Sequence, residues 1–493
     1  MIKRLTVIVL TGVLLMLGLG ACTGTNDEYK QVKVDGLRLE ILGKGKVNVE
    51  GIGVEWDPYL LSAANTQNNN LPQEMRATQA DLDFVFSRAK AMGLQKIRIM
   101  LQPAWIEPLN DDGDPFNIDP DGFSWENDCA QTFLKILDFC EENNIKVNVV
   151  TWCANTENGY FMGLPSGQWC SAPKDLDEYV ENIVYSTGYL IEEKGYTCVT
   201  DITPFNEPNW AFLDDTQYVD LNRFVELCVK LDTALKGAGL RDKVRLNYSD
   251  ANSYQDSLWM IDKLKGIAEI YNTHCYDYYS TAKNEIFSDY AKLLVDASAK
   301  HGAIHVISEF GLRTTVGSHQ ASDIDTYSRG LTIGRMTIAM MNQGIASMMY
   351  WCLFDQYYDL GPQRMEVGLW KYKDFGWEPR PQYYSFSLLT KYTEAGSEIY
   401  PIESEDEDIV AIAFKNTDNS WTYAVVNSSD EEKGFSFTNS NLKNLTMKKY
   451  VFSESTLPTD GKMIQSSGSA SMKDFVLADV IAPQSMIVYS SKA

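Results

Sequence analysis

A (β/α)8 TIM barrel of the α/β class, followed by a C-terminal antiparallel β-sandwich domain, is the fold that three features of the 493-residue sequence predict. Apolar strand-like runs alternate with amphipathic helical stretches, which implies βα units. Those runs number eight and are apolar enough to be buried on both faces. Beyond residue 395 the hydrophobic period changes from helical to two. With 44% hydrophobic residues the chain can bury a large core, which excludes a disordered protein.

The eight barrel strands are expected at 51–55, 95–100, 145–151, 200–205, 243–248, 269–274, 304–310 and 345–350. After the first, Leu82, Val85, Phe86, Ala89 and Met92 share one helix face, opened by the capping pattern Thr78-x-x-Asp81 and stopped at Gly93. Similar helical stretches run 129–142, 176–194, 218–236 and 323–342. A doubly wound open sheet is the competing architecture, but no glycine-rich nucleotide loop follows any strand. Pro379-Arg380-Pro381 precedes a last helix, 382–392, ended by Gly396. Period-two strands then follow at 408–415, 422–427, 434–438, 446–452 and 485–489, separated by Asn, Ser, Asp and Gly clusters. Two more short strands in 32–49 precede the barrel and are expected to complete the sandwich.

Ahead of these, Lys3 and Arg4 introduce the apolar run from Leu5 to Leu19, too short to span a bilayer comfortably and of the form of a signal-peptide core. The run closes on Leu19-Gly20-Ala21-Cys22, which resembles the lipobox of bacterial lipoproteins and implies a lipidated Cys22. The expected organisation is a signal peptide at 1–21, a tether at 22–32, the N-terminal strands at 33–50, the barrel at 51–395 and the sandwich at 396–493. An exported protein held to a bacterial membrane by its lipid anchor, at the cell surface or in the periplasm, is the expectation. Acidic residues after the cysteine resemble surface-export signals of Bacteroidota lipoproteins.

The net charge of −24, with no basic cluster beyond the first residues, makes nucleic acid and anionic headgroups poor partners for the folded part. Eight of the nine cysteines follow Cys22 without metal-binding spacing. Cys129 and Cys140 fall on one predicted helix about 16 Å apart and cannot bond each other. Cys153 and Cys170 flank one loop and either pair or stay buried thiols. Only four histidines occur, none in a zinc-binding pattern, so no metal or other cofactor is implied.

In such a barrel the site is built at the C-terminal ends of the strands. Those ends offer Arg98, Trp152, Asn206 with Glu207, Asn247, His274 with Tyr276, Glu309 and Trp351, in strand order from the second. Two glutamates on the fourth and seventh strands match what glycoside hydrolysis requires. One carboxylic acid protonates the leaving oxygen while a second carboxylate attacks the anomeric carbon. Arg98 and Tyr276 are the expected donors that hold one of them ionised. Trp56, Trp105, Trp152, Trp169, Trp210 and Trp351 all fall at or just after strand ends, where indole faces can stack on sugars. Taken singly, each residue has a plainer structural reading. Glu207 could open a loop, Glu309 could pair with Arg98 or Arg313, and the tryptophans could be core.

Phe205-Asn206-Glu207-Pro208, His274-x-Tyr276, Ser308-Glu309-Phe310-Gly311 and Tyr350-Trp351 together resemble the motifs of clan A glycoside hydrolases. The resemblance spans all eight strands. It implies Glu207 as acid/base, Glu309 as nucleophile and Asn206 as a hydroxyl-binding amide. It implies supporting roles for Arg98, His274 and Tyr276 and a sugar platform at Trp351. Trp56, Trp152 and Trp210 are further expected substrate-binding residues. Thr151-Trp152 stands where family 5 enzymes usually carry a histidine, and the trailing sandwich resembles families 30, 39 and 79. The expectation is therefore a family 30-like or family 5-like retaining enzyme acting on β-linked carbohydrate. A non-catalytic glycan-binding lipoprotein and a transglycosylase using the same residues are the alternatives. Substrate choice rests on loops such as 155–173 and 355–377. His301, His305 and His319 are read as structural.

Overall fold

All eight predicted strands are present in the computed structural model, which describes residues 36–107, 120–152, 172–213, 218–276, 284–312 and 323–492. They are β2 (Gly51–Glu55), β3 (Lys96–Leu101), β4 (Lys146–Thr151), β5 (Val199–Thr203), β6 (Arg245–Ala251), β7 (Ile270–Cys275), β8 (Ile304–Phe310) and β9 (Ser347–Tyr350). Every neighbouring pair is parallel and follows chain order, and β2 pairs with both β3 and β9, which closes the ring. Side chains therefore alternate between the barrel axis and the layer under the helices.

The helices start and stop where local chemistry directs. The first long one, Gln79–Ala91, opens with Asp81 Oδ2 accepting from the Thr78 backbone N–H at 2.8 Å. It stops before Gly93 at φ +70°, where a Cβ would meet Lys391 Cα at 2.8 Å, so no larger residue fits. Asn127 caps Asp128–Asn143 by accepting from Cys129 N–H. The predicted helix over 176–194 divides into Leu176–Gly188 and a wider π-helical turn, Tyr189–Glu193. The one expected at 218–236 begins instead at Leu221, where Asp220 supplies the cap, and ends at Gly237.

Nine strands form the second sheet system. They are β1 (Leu37–Ile41), β10 (Glu398–Glu403), β11 (Ile409–Lys415), β12 (Trp421–Asn427), β13 (Lys433–Thr438), β14 (Leu445–Phe452), β15 (Gly468–Met472), β16 (Val476–Ile481) and β17 (Ser485–Ser490). Their order is β15-β14-β17-β12-β11-β10-β1-β13-β16, antiparallel except for the parallel β1–β13 pair. Of the two strands expected in 32–49, only β1 forms among the described residues. The chain turns at Gly43, at φ +102°, and Asn48 makes no more than an isolated bridge to Glu398.

The central strands β11 and β12 are buried on both faces, unlike the half-exposed strands expected from a period of two. Ile409, Ala411, Tyr423 and Val425 enter the sandwich core, while Ile412, Phe414, Ala424 and Val426 join the core of the barrel. Helices Tyr327–Asn342 and Pro381–Tyr392 supply the barrel side of that layer. Cys129, Cys140, Cys198, Cys228, Cys275 and Cys352 are buried free thiols. Cys22, Cys153 and Cys170 lie outside the described residues, as does the expected signal peptide and tether.

Candidate active site

The last inward side chains of the parallel strands meet at one rim. β5 ends at Thr203, and the chain runs on through Asn206 to Glu207, which precedes the short helix Pro208–Ala211. Glu207 sits at φ +48°, in the left-handed region, as does Asp250 near the end of β6 at φ +54°. Such a conformation costs a residue with a Cβ of order 1–3 kcal/mol and persists where the surroundings over-determine it. Here the two are tied together, Glu207 N–H donating to the Asp250 carbonyl at 3.0 Å.

Arg98, wholly buried on β3, is the hub. Its Nη1 donates to Glu309 Oε1 at 2.7 Å and to Glu55 Oε2 at 2.6 Å. Its Nη2 donates to Asn206 Oδ1 at 2.7 Å and to Asp250 Oδ2 at 2.5 Å. Tyr276 OH donates to the second oxygen of Glu309 at 2.7 Å, so both oxygens of that carboxylate hold donors. The carboxylate is thereby held by two donors from opposite sides.

His274 lies between the two glutamates. Its Nδ1 is 2.9 Å from Glu207 Oε1 and 3.3 Å from Glu309 Oε2, and its Nε2 is 3.2 Å from Asp250 Oδ1. Burial alone would lower its pKa, but the charges of Glu309 and Asp250 outweigh burial and raise it to about 10. The imidazole is therefore charged through neutral pH. Burial would likewise raise Asp250, yet Arg98 and His274 hold it well below the usual carboxylate range. Ser308 Oγ adds a 2.8 Å bond to Asp250 Oδ1.

Of the expected aromatic residues, Trp351 meets Tyr276 edge to face at 6.0 Å, and Trp152 has the Arg98 guanidinium 5.7 Å from its ring. Trp210, on the short helix after Glu207, is half exposed. Trp56 is a correction: it is wholly buried against Phe86 and Phe139 of two barrel helices and presents no face to a ligand. Its neighbours Glu55 and Asp57 take the inward positions, and alternation turns Trp56 outward into the helix layer. Trp105 packs edge to face on Tyr59, and Trp169 lies outside the described residues. His305 is core, held between Thr273 Oγ1 and Ser298 Oγ. Asn247 is a buried mid-strand residue because β6 continues to Ala251, which gives the rim position to Asp250.

Sequence reasoning missed Glu55, Asp57, Asp250 and Tyr358. Glu55 was readable, as the polar end of an otherwise apolar first strand. Asp57 and Tyr358 meet only through the fold, Tyr358 OH donating to Asp57 Oδ2 across 301 positions of chain. Glu207, His274 and Glu309 each present one ligand-type atom within 4.8 Å of the others. A charged imidazole and the Arg98 guanidinium already neutralise these carboxylates, so the donor set does not fit a metal ion.

No family model matches the chain, and no curated protein matches its sequence. Its likeness is to solved structures. A glycoside hydrolase family 30 subfamily 8 xylanase, Xyn30A, from Clostridium acetobutylicum superimposes with a TM-score of 0.64 at 13% identity, over 93% of this chain and 100% of the other. The catalytic domain of GH30 xylanase C from Talaromyces cellulolyticus gives 0.63 at 15%, over 92% and 100%. The GH39 enzyme from Xanthomonas axonopodis pv. citri gives 0.59 at 10%, over 94% and 98%. At these identities what is shared is the fold, a barrel and a sandwich arranged as in glycoside hydrolases of families 30 and 39.

Proposed function

We propose that this protein is a retaining glycoside hydrolase that cleaves β-glycosidic bonds, with Glu207 as acid/base and Glu309 as nucleophile. The observation that carries the reading is an asymmetry between two glutamates whose nearest oxygens lie within 4.8 Å of each other. Glu309 has a guanidinium on one oxygen and a phenol on the other, as a standing nucleophile needs. Glu207 has the imidazole on Oε1, and among the described residues no side chain donates to its Oε2. That oxygen is free to hold a proton for a leaving group. Oxygens this near each other support the close approach that direct attack uses, with carboxyls roughly 5–5.5 Å apart.

In the first step a Glu309 oxygen bonds to the anomeric carbon as the glycosidic C–O bond breaks, and the Glu207 proton passes to the departing oxygen. In the second, Glu207 takes a proton from water while the water oxygen bonds to the anomeric carbon and releases Glu309. Trp351, Trp152 and Trp210 offer stacking faces, and Asn206 an amide for a hydroxyl. The fold shared with xylanases of family 30 supports a polysaccharide or oligosaccharide as substrate.

Mass spectrometry after incubation with 2-deoxy-2-fluoro glycosyl fluorides tests this. A sugar adduct on Glu309, absent in Glu309→Gln, is the expected result. No adduct with any sugar, together with no product from a broad glycan screen, would overturn it. The leader ending at Cys22 supports lipid anchoring to a bacterial membrane. Metabolic labelling with a fatty-acid analogue should mark the wild type and not Cys22→Ser.

A further inference from the structure

Behind the nucleophile stand two carboxyls that the two-step chemistry does not use. Glu55, at the end of β2, and Asp57, two residues on, are both wholly buried. Glu55 Oε2 accepts from the same Arg98 nitrogen that serves Glu309, and Asp57 Oδ2 accepts from Tyr358 OH. Their remaining oxygens, Glu55 Oε1 and Asp57 Oδ1, are buried without a hydrogen-bond partner. The two side chains nevertheless lie within hydrogen-bonding reach of each other. Two carboxylates cannot bond each other, and an orphaned buried acceptor costs about 1–3 kcal/mol, more when charged. One proton resolves both orphans. With Asp57 protonated at Oδ1, it donates to Glu55 Oε1, while Glu55 keeps its charge toward Arg98.

Among the described residues the surroundings leave no other source of compensation. Arg98 faces the pair from β3, Glu309 from β8, the buried Cys352 from just after β9, and Tyr358 from the loop beyond, backed by the Tyr59 ring. Arg98 is the one cation in that set, and it is shared with Glu309 and Asp250. Burial drives both carboxyls up, Glu55 well above the usual range and Asp57 to about 6, so the pair holds one proton; the 2.6 Å bond from Arg98 Nη1 puts the remaining charge on the Glu55 side.

We propose that Glu55 and Asp57 share one proton and act together as the standing counter-ion of Arg98. The pair thereby sets how tightly Arg98 holds the nucleophile. This rests on Glu309 being the nucleophile. When Glu309 becomes a neutral ester, the buried guanidinium loses one carboxylate partner, and Glu55 keeps Nη1 in position for the return step. Glu55 is thus a positioning residue acting through Arg98, and Asp57 carries the proton that makes the pair a single anion.

Three proteins decide it: wild type, Glu55→Gln and Asp57→Asn, each followed by kcat/KM from pH 4 to 10. Glu55→Gln removes a negative charge beside Glu309, so the acidic limb should move down by about one unit. Asp57→Asn replaces a neutral donor with another neutral donor, so the limb should stay and activity should remain within about threefold of wild type. In the infrared difference spectrum between wild type and Asp57→Asn at pH 5, a deuterium-sensitive protonated-carboxyl band should be lost, whatever band Glu207 contributes to both proteins. That readout serves even if Glu55→Gln does not fold. An Asp57→Asn limb that moves as far as that of Glu55→Gln, or no carboxyl band lost in the difference spectrum, would overturn the proposal. Labelling of Glu309 by the fluoro sugar separates the two levels. An unmoved Glu55→Gln limb in protein that still labels at Glu309 defeats this inference alone, whereas no labelling in wild type defeats the mechanism beneath it.

Discussion

The barrel carries an ion network at each end, buried at one and partly exposed at the other, with cations and carboxylates in opposite proportion. At the N-terminal end, Lys96, Lys146 and Arg245 face Glu50 and Asp201. Lys96 Nζ bonds Asp201, Arg245 reaches Asp201 and Glu50 at 2.7 and 2.8 Å, and Lys146 lies 3.4 Å from Glu50. At the C-terminal end, Arg98 and His274 face Glu55, Asp57, Glu207, Asp250 and Glu309. Where cations outnumber carboxylates, the ion pairs fasten neighbouring strands together. Where buried carboxyls outnumber cations, some must hold protons, and a proton that is held can be moved. The balance of charge, more than the presence of buried charge, separates a fastening from a reactive site.

The largest test of this contrast is the loss of the acid. Glu207→Gln should lower kcat/KM by about 100- to 10,000-fold on a substrate with a poor leaving group. It should lower it far less on an aryl glycoside whose leaving group departs without protonation. Steady-state kinetics on the two substrate types, with a melting curve for each protein, reads the result. An equal loss on both would mean that Glu207 holds the site together rather than supplying a proton.

A smaller effect separates two tryptophans that both follow the ends of barrel strands. Trp56→Ala should cost about 3–5 kcal/mol of stability, as expected for a buried indole, and leave KM unchanged in the protein that folds. Trp351→Ala, whose ring is only partly buried, should do the reverse, raising KM with little change in melting. Thermal denaturation and Michaelis kinetics on both variants make the comparison.

That pair also marks what the sequence discloses. The positions of Arg98, Glu207 and Glu309 were legible because an ionisable residue at the end of an apolar run has few other reasons to be there. Trp56 was misread because an indole is equally at home in a core, and its direction depends on which of Glu55, Trp56 and Asp57 face the axis. Asp250 escaped because β6 runs past Tyr248 through a register shift into a left-handed turn, which no periodicity announces. The double burial of β11 and β12 escaped for a similar reason. Their second partner is the barrel's own helix layer, formed from residues as early as Tyr327, and a run such as Ile409–Lys415 does not say what will cover it.

The finest test lies at the opposite end of the barrel. Burial would raise the Glu50 carboxyl, but Arg245, Lys96 and Lys146 overcome burial and hold it at about 2, against an ordinary 4.5. A carboxyl depressed in the folded state contributes stability above its ordinary value and loses it as pH falls through the folded value. Glu50→Gln should therefore cost about 2 kcal/mol at pH 7, and the gap from wild type should narrow between about pH 4.5 and 2. Chemical denaturation across that range measures it, with kcat/KM at pH 7 as the control. If the variant lost activity while keeping its stability, the two ends of the barrel would be coupled and the division between fastening and reactive networks would fail. If it lost stability alone, a cation-rich network would be shown to do mechanically what the anion-rich one at the other rim does chemically.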